Sequence, residues 1–404
     1  MEQPRITTLP NGLRVVTRTA RGEAEYFGVY INAGSRDEDP EHFGLAHFVE
    51  HTIFKGTLKR RSCHIINRME SVGGELNAFT TKEETAVYSI FPRGYLPRAM
   101  ELIADLITSS RFPDAEIDLE REVVAEEIRS YLDSPDESVA DDFEDLIFAN
   151  SGLGHNILGS EASIAQFDST VCRNYITSSY TPGRMVVFYC GSSGHDRTVR
   201  NIERYFGHMH HPDIIPARPT PDMMPQFTRV MSASRNQAHT ILGARVPGLM
   251  ENSRFAIALM CNILGGPGMN SLLNVELRER RGLVYTVEAT PCLYSDCGAV
   301  EIYYGCDPSS QKRCTQIVTS AIARLAETPL SPTRLERAKR QYLGQVTVSG
   351  DNREQSALSM GRGVLIYGEA PSSERLREHI NSLTAADICS AASLLLHPSS
   401  LTLE

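Results

Sequence analysis

The residues from Gly207 to Gln226 carry five prolines, Pro212, Pro216, Pro219, Pro221 and Pro225, and follow neither a helical nor an alternating apolar pattern. No regular element runs through such a stretch, so the chain is expected to form two bodies, residues 1–206 and 227–404, joined by a linker over 207–226. The length of 404 residues agrees, because one hydrophobic core rarely organises more than about 250–300 residues. The linker also holds His208, His210 and His211, but imidazoles on a Pro-rich connector lack the fixed geometry that a metal site needs. Its two flanks read as one design used twice. TAVYSIF (Thr85 to Phe91) and GAVEIYY (Gly298 to Tyr304) alternate with the period of a strand. Each leads through a turn into an amphipathic helix, about Leu96 to Ile107 and about Gln311 to Leu325, which predicts a duplicated α+β unit.

Composition narrows the function classes. Hydrophobic residues at 41% and charged residues at 22% are ordinary for a globular protein. A formal net charge of −10 argues against a general nucleic-acid binder or a protein of anionic membrane surfaces. The apolar run Met185 to Cys190 is a strand's length, far below the roughly 18–20 residues that span a bilayer. The opening MEQPRITTLPNGLRVV lacks a basic segment followed by an apolar one, so the chain as given reads as cytoplasmic. Nine cysteines without a C-x-x-C pair, several of them in apolar runs (Cys190, Cys261, Cys389), read as free thiols. An acidic stretch from Asp133 to Asp145 is open to two readings, a solvated helix start or a preference for basic peptides.

Within EHFGLAHFVEHTIF (Glu41 to Phe54), His47, Glu50 and His51 stand at i, i+3 and i+4, within about a 100° arc of one helix face. Two imidazoles one turn apart can both bind zinc, while a carboxylate between them can reach a water on the metal. The pattern is H-x-x-E-H. Its flanks, Leu45, Ala46, Phe48, Val49, Ile53 and Phe54, leave the helix apolar nearly all round, and buried polar groups in such a setting need a partner. A third ligand is sought on DAEIDLEREVVAEEIRSY (Asp114 to Tyr131), where Ile117, Val124, Ile128 and Tyr131 form the buried stripe of a helix. On that helix Glu120 and Glu127 flank the stripe, whereas Glu126 points away. Periodicity therefore selects Glu127 over Glu126 as an inward carboxylate.

These motifs resemble the pitrilysin and mitochondrial processing peptidase family of zinc proteases, whose signature places a liganding Glu about 76 positions after the second His, with another Glu seven before it. Glu127 and Glu120 stand at those spacings from His51, and GLAHFVEHTIFKGT and EREVVAEEIRSYLDSP look like family motifs. The resemblance implies one zinc per chain held by His47, His51 and Glu127, with Glu50 as general base acting on the zinc-bound water and Glu120 behind a ligand. MESVGGELNAFTTKEETAVYSIF (Met69 to Phe91) resembles the family's substrate strand, in which Asn77, Ala78 and Phe79 line the cleft and offer an edge to an extended peptide; Gly73 and Gly74 permit the turn into it. LRERRGLVYTV (Leu277 to Val287) matches the family's Arg and Tyr seven apart, which implies that Arg278 and Tyr285 bind the peptide backbone and steady the tetrahedral intermediate. After LGGPGMNS the family often has Arg where this chain has Leu272, which puts substrate contacts near that glycine-rich loop in question.

What the resemblance implies is a zinc endopeptidase of two similar domains, each a mostly antiparallel sheet with helices on one side, forming half of a clamshell. The zinc belongs to the first domain and the substrate-holding residues to the second. Single-chain relatives enclose substrate with four such domains, so a chain with two is expected to form a homodimer with each site completed in trans. The alternative is a non-catalytic or partner-dependent structural subunit of a processing-peptidase-like complex.

Overall fold

The structure, a computed structural model, describes residues 2–209, 217–232 and 237–404. Along the first half run β1 (Arg5–Thr8), β2 (Arg14–Thr19), β3 (Ala24–Ile31), α1 (Leu45–Thr52), α2 (Ser62–Glu70), β4 (Glu75–Thr80), β5 (Thr85–Pro92), α3 (Leu96–Ser109), α4 (Asp114–Leu132), α5 (Pro135–Ile147), α6 (Glu161–Ile164), α7 (Ser169–Ser179), β6 (Met185–Gly191) and α8 (His195–Phe206). The second half holds β7 (Thr228–Met231), β8 (Ala238–Pro247), α9 (Ser253–Gly265), β9 (Val284–Leu293), β10 (Cys297–Cys306), α10 (Gln311–Glu327), α11 (Pro332–Ser349), α12 (Arg353–Tyr367), α13 (Ser373–Ser382), α14 (Ala385–Ser393) and β11 (Ser399–Leu403).

The duplication read from the alternating segments is present in the topology. One sheet has the order β1-β2-β6-β3-β5-β4 and the other β7-β11-β8-β10-β9, so five strands of the first repeat in the second. In each, one pair is parallel (β2 with β6, β7 with β11) and the others are antiparallel. The segments TAVYSIF and GAVEIYY lie on the equivalent strands β5 and β10.

The compact units are not the two contiguous halves. The first comprises Met1–Arg129, Asn156–Arg218 and Gly350–Pro371, and the second Ser130–His155, Pro219–Ser349 and Ser372–Glu404. Each sheet has its main helical layer on one face, as expected, and one helix from the other half of the chain on its other face. In the first unit α12 covers β6, β3 and β2, burying Ala357, Leu358, Met360, Val364 and Leu365 against Val16, Tyr30, Val186 and Phe188. Polar ties hold it there: Arg362 pairs with Glu84, and Tyr88 Oη donates to Glu354 Oε1 at 2.9 Å. With both faces covered, β6 must be apolar on both, which explains its continuous MVVFYC run.

In the second unit α5 lies on β8, β11 and β10, and Val139, Phe143 and Ile147 pack with Ile241, Ala299 and Leu401. Full burial of each such side chain stabilises by about 1.5–3 kcal/mol, enough to anchor a 13-residue helix. The acidic stretch is thus only partly solvated: Glu144 turns inward and accepts from Tyr294 Oη at 2.6 Å. The expected linker straddles the boundary between units at Arg218 and Pro219, and Arg218 is tied to Asp37 of the first unit at 2.6 Å. His208 is exposed, while His210 and His211 lie outside the described residues. All nine cysteines are free. Among the described residues no helix is long and apolar enough to cross a membrane.

Candidate metal centre

Helix α1 starts at Gly44, which takes φ of +98° and has the Leu158 carbonyl where a Cβ would sit, so only glycine lets the chain enter the helix there. The Glu38 carboxylate accepts the amides of Gly44 and Ala46 at 2.8 and 2.6 Å and satisfies donors that the helix leaves open. Leu45, Ala46, Phe48 and Val49 are buried in the first unit's core, which fixes the rotation of α1. His47, Glu50 and His51 then share the remaining face.

Helix α4 meets that face with the phase read from its stripe. Ile117, Glu120, Val124 and Ile128 are buried, while Tyr131 is half-buried with its hydroxyl on Asp141. Glu126 is exposed and paired with Arg129, and Glu127 faces the histidines. His51 Nε2 lies 3.4 Å from Glu127 Oε2, and His47 Nε2 lies 3.7 Å from Glu127 Oε1. One nitrogen of each imidazole and one oxygen of Glu127 fall within 4.8 Å of one another.

A tetrahedral zinc with bonds of about 2.0–2.1 Å holds its ligand atoms about 3.4 Å apart, so this spacing fits. The donor set also fits, with two borderline nitrogens and one carboxylate oxygen. Burial, then the neighbouring His51, lowers the His47 pKa to about 3, which keeps that imidazole neutral with a lone pair to give. The site is open on one side, since the Glu127 side chain is 42% exposed.

Behind the histidines stands Glu120, whose side chain is 7% exposed. Its Oε1 lies 3.0 Å from His51 Nδ1 and its Oε2 lies 2.6 Å from Lys55 Nζ. Burial favours the neutral form of His51 and lowers its pKa, yet the bond to Glu120 and the charges of Glu127 and Glu50 outweigh it and raise the pKa. Burial raises the Glu50 pKa above the ordinary carboxyl value, opposed by Thr80 at the end of β4 and by His51. Neither Lys55 nor Thr80 was singled out by sequence reasoning. Lys55 stands four residues after His51, a spacing that points to it only once the chain is known to stay helical-like past Thr52.

The edge of the first sheet is β4, paired on one side only, with β5. Gly73, at φ of +75°, makes the turn into it. Ala78 packs toward the core face, whereas Phe79 stacks edge-on with Tyr30 and Tyr88 on the opposite face. Asn77, Ala78 and Phe79 share the free backbone edge of β4. Arg278 and Tyr285 belong to the second unit, on the π-helical segment Asn274–Glu279 and at the start of β9, and both are exposed. Glu276 holds Arg280 and Arg281 at 2.8 and 2.6 Å, while Arg278 has no ion pair among the described residues. Leu272 is half-buried against the second core, a position that suits an apolar side chain.

Comparison with known proteins agrees with the geometry. Residues 14–161 match the family model described as insulinase (peptidase family M16), and residues 167–342 the one described as peptidase M16 inactive domain. A protein named uncharacterized zinc protease from Mycobacterium bovis is 33% identical over 399 residues, covering 97% of this chain and 91% of its own. The mitochondrial-processing peptidase subunit beta of Bos taurus is 29% identical over 399 residues, covering 96% of this chain and 81% of its own. Among solved structures, a protease from Helicobacter pylori superposes with a TM-score of 0.89 at 20% identity, covering 100% of this chain and 99% of that one. A family model across each half and a relative one-third identical over nearly the whole length identify the chain as a member of the M16 peptidase family.

Proposed function

We propose that the chain is a zinc-dependent endopeptidase that cleaves extended or unfolded peptides, with Glu50 as general base. The observation that supports it is the convergence of His47 and His51 of α1 with Glu127 of α4 beside Glu50, with α1 packed against the edge strand β4. Zinc bound there supplies a Lewis acid that polarises the scissile carbonyl and lowers the pKa of a water toward about 7. An extended peptide adds to β4 as a further strand, held by the backbone of Asn77, Ala78 and Phe79. Glu50 takes the proton of the attacking water and hands one to the leaving amine; its raised pKa brings it closer to the group it must deprotonate. Arg278 and Tyr285 bind the peptide backbone and donate to the developing oxyanion, where loss of one donor typically costs about 3–4 kcal/mol. Zinc content per chain, with cleavage of a peptide library measured with and without a chelator, tests the reading. A zinc-free purified chain that cannot take up zinc, or cleavage untouched by the chelator, would sink it.

We propose that the chain acts as a homodimer in which the zinc residues of one copy are completed by Arg278 and Tyr285 of the other copy. Mixing an inactive Glu50→Gln chain with an inactive Tyr285→Phe chain, under conditions that exchange subunits, should restore one intact site per mixed dimer. No recovery, with mixed dimers shown by mass, would mean that the two halves act within one chain. The likeness to a protein named a processing-peptidase subunit favours a second reading, a subunit that needs a different partner. Full turnover by the chain expressed alone excludes it.

A further inference from the structure

The chain Lys55–Glu120–His51 is built more tightly than a surface ion pair. Glu120 is nearly buried, yet both of its oxygens are engaged, Oε2 by the Lys55 ammonium at 2.6 Å and Oε1 by His51 Nδ1 at 3.0 Å. A carboxylate only accepts, so His51 must donate from Nδ1, and a neutral imidazole that donates from Nδ1 carries its lone pair on Nε2. That Nε2 is the atom turned toward Glu127 at 3.4 Å. Lys55 is itself held: its backbone amide donates to the Thr52 carbonyl at 3.1 Å, and the next residue, Gly56, bridges to Arg61. The ammonium therefore reaches Glu120 from a fixed turn at the end of α1.

We infer that Lys55 is a positioning residue of the metal site: by clamping one oxygen of Glu120 it holds the other on His51 Nδ1, and so fixes the imidazole orientation and tautomer that present Nε2 to the metal. This rests on the metal site of the proposed function and extends it to a residue outside the H-x-x-E-H motif. With Lys55 gone, Glu120 is free to rotate about its side-chain torsions, and His51 loses the partner that selects one ring orientation. Supporting groups of this kind typically change metal affinity about 10–100-fold.

Zinc affinity of the full chain, measured by competition with a chromogenic chelator, tests this in a cycle of variants. Lys55→Met keeps the apolar stem and is expected to weaken zinc about tenfold or more, and Lys55→Arg to restore it to within about threefold. Glu120→Gln should weaken zinc comparably, and adding Lys55→Met to Glu120→Gln should weaken it no further, because Lys55 acts through Glu120. A Lys55 that merely stabilised the fold or lent bulk charge would still cost affinity in the Glu120→Gln background. Additive losses, an unweakened Lys55→Met or an unrescued Lys55→Arg would each overturn the inference. Thermal midpoints of the zinc-free variants separate folding from metal binding, and Lys55→Gln replaces Lys55→Met if the latter does not fold. His47→Ala is the control: if it binds zinc as tightly as the wild type, the metal site itself fails and the inference with it. Loss of zinc in His47→Ala beside an unchanged Lys55→Met sinks the inference alone.

Discussion

The two sheets share a strand order and differ in what their helices carry. In the first unit α1 follows β3 and presents His47, Glu50 and His51; in the second α9 follows β8 and buries Ala256, Ile257, Leu259, Met260, Cys261 and Leu264. Where Glu127 of α4 faces two imidazoles, Gln345 of the equivalent helix α11 accepts a hydrogen bond from Asn262 of α9 at 2.7 Å. A neutral amide–amide hydrogen bond stands there in place of imidazoles facing a carboxylate. One frame thus holds either a His/His/Glu group whose spacing fits a metal or an apolar helix with an amide pair, and the difference between them is a handful of side chains.

That contrast makes its strongest claim at Glu50. Glu50→Gln should lower kcat/KM by about 10²–10⁴-fold while zinc content stays at the wild-type level, because the amide fills the space without accepting a proton. In the second unit, Asn262→Ala should cost about 1 kcal/mol of stability and leave zinc and turnover near wild type. Turnover of Glu50→Gln within tenfold of wild type would remove Glu50 from its role. A zinc loss in Asn262→Ala would show that the amide pair is not the inert counterpart described above.

The exchange of α5 and α12 makes the next largest claim. Phe143 is fully buried in the second unit, its ring over Gly243 of β8, although it lies in the first half of the sequence. Phe143→Ala should destabilise that unit by about 3–5 kcal/mol. Native-state hydrogen exchange should show β8 and β11 opening while β3 and β6 keep their protection, and zinc binding in the first unit should persist. Faster exchange in the first sheet instead would mean that α5 belongs to its own half.

Sequence reasoning reaches the strands, the helices and the convergence of His47, His51 and Glu127, because shared faces follow from local periodicity. Alternation marks β5 and β10, and the 100° step per residue separates Glu127 from Glu126. Other features escape it for a physical reason. The stripe Val139, Phe143, Ile147 says that α5 is buried but not against which sheet, so the sequence pattern is equally compatible with contiguous halves. The resemblance implies Phe79 as a cleft residue, and its ring packs with Tyr30 and Tyr88 on the face α12 covers, a contact that strand alternation alone does not name. Lys55 lies past the last residue of α1, where helical phase no longer predicts direction.

A smaller effect follows from the phase of α4. Glu127→Gln should weaken zinc at least about 100-fold, beyond what loss of a supporting group costs, whereas Glu126→Gln, whose carboxylate is exposed and paired with Arg129, should leave zinc affinity within about twofold. Equal losses from both substitutions in a chelator competition would overturn the assignment of Glu127 as the inward carboxylate.

The smallest effect comes from the way each exchanged helix meets its sheet. In the second unit a Phe on the helix, Phe143, sits over a Gly on the strand, Gly243; in the first the order is reversed, with Gly361 of α12 over Phe188 of β6. A Cβ at Gly361 would meet Phe188 Cδ1 at 2.8 Å and Tyr30 Cδ2 at 2.9 Å. Two terms then oppose each other in Gly361→Ala. Replacing a mid-helix glycine by alanine favours the helix by about 1 kcal/mol, while forcing a methyl into a packed core costs about 1–3 kcal/mol. Phe188 and Tyr30 are 0% and 2% exposed, so neither ring can swing out to make room, and the overpacking term should win. The expected result is a net loss of about 1 kcal/mol, read as faster hydrogen exchange in β6 and β3 and unchanged exchange in β8. Slower exchange in β6 would show that α12 rests on its sheet with slack to spare, and that the two helices are not held by the same interlocking of ring and glycine.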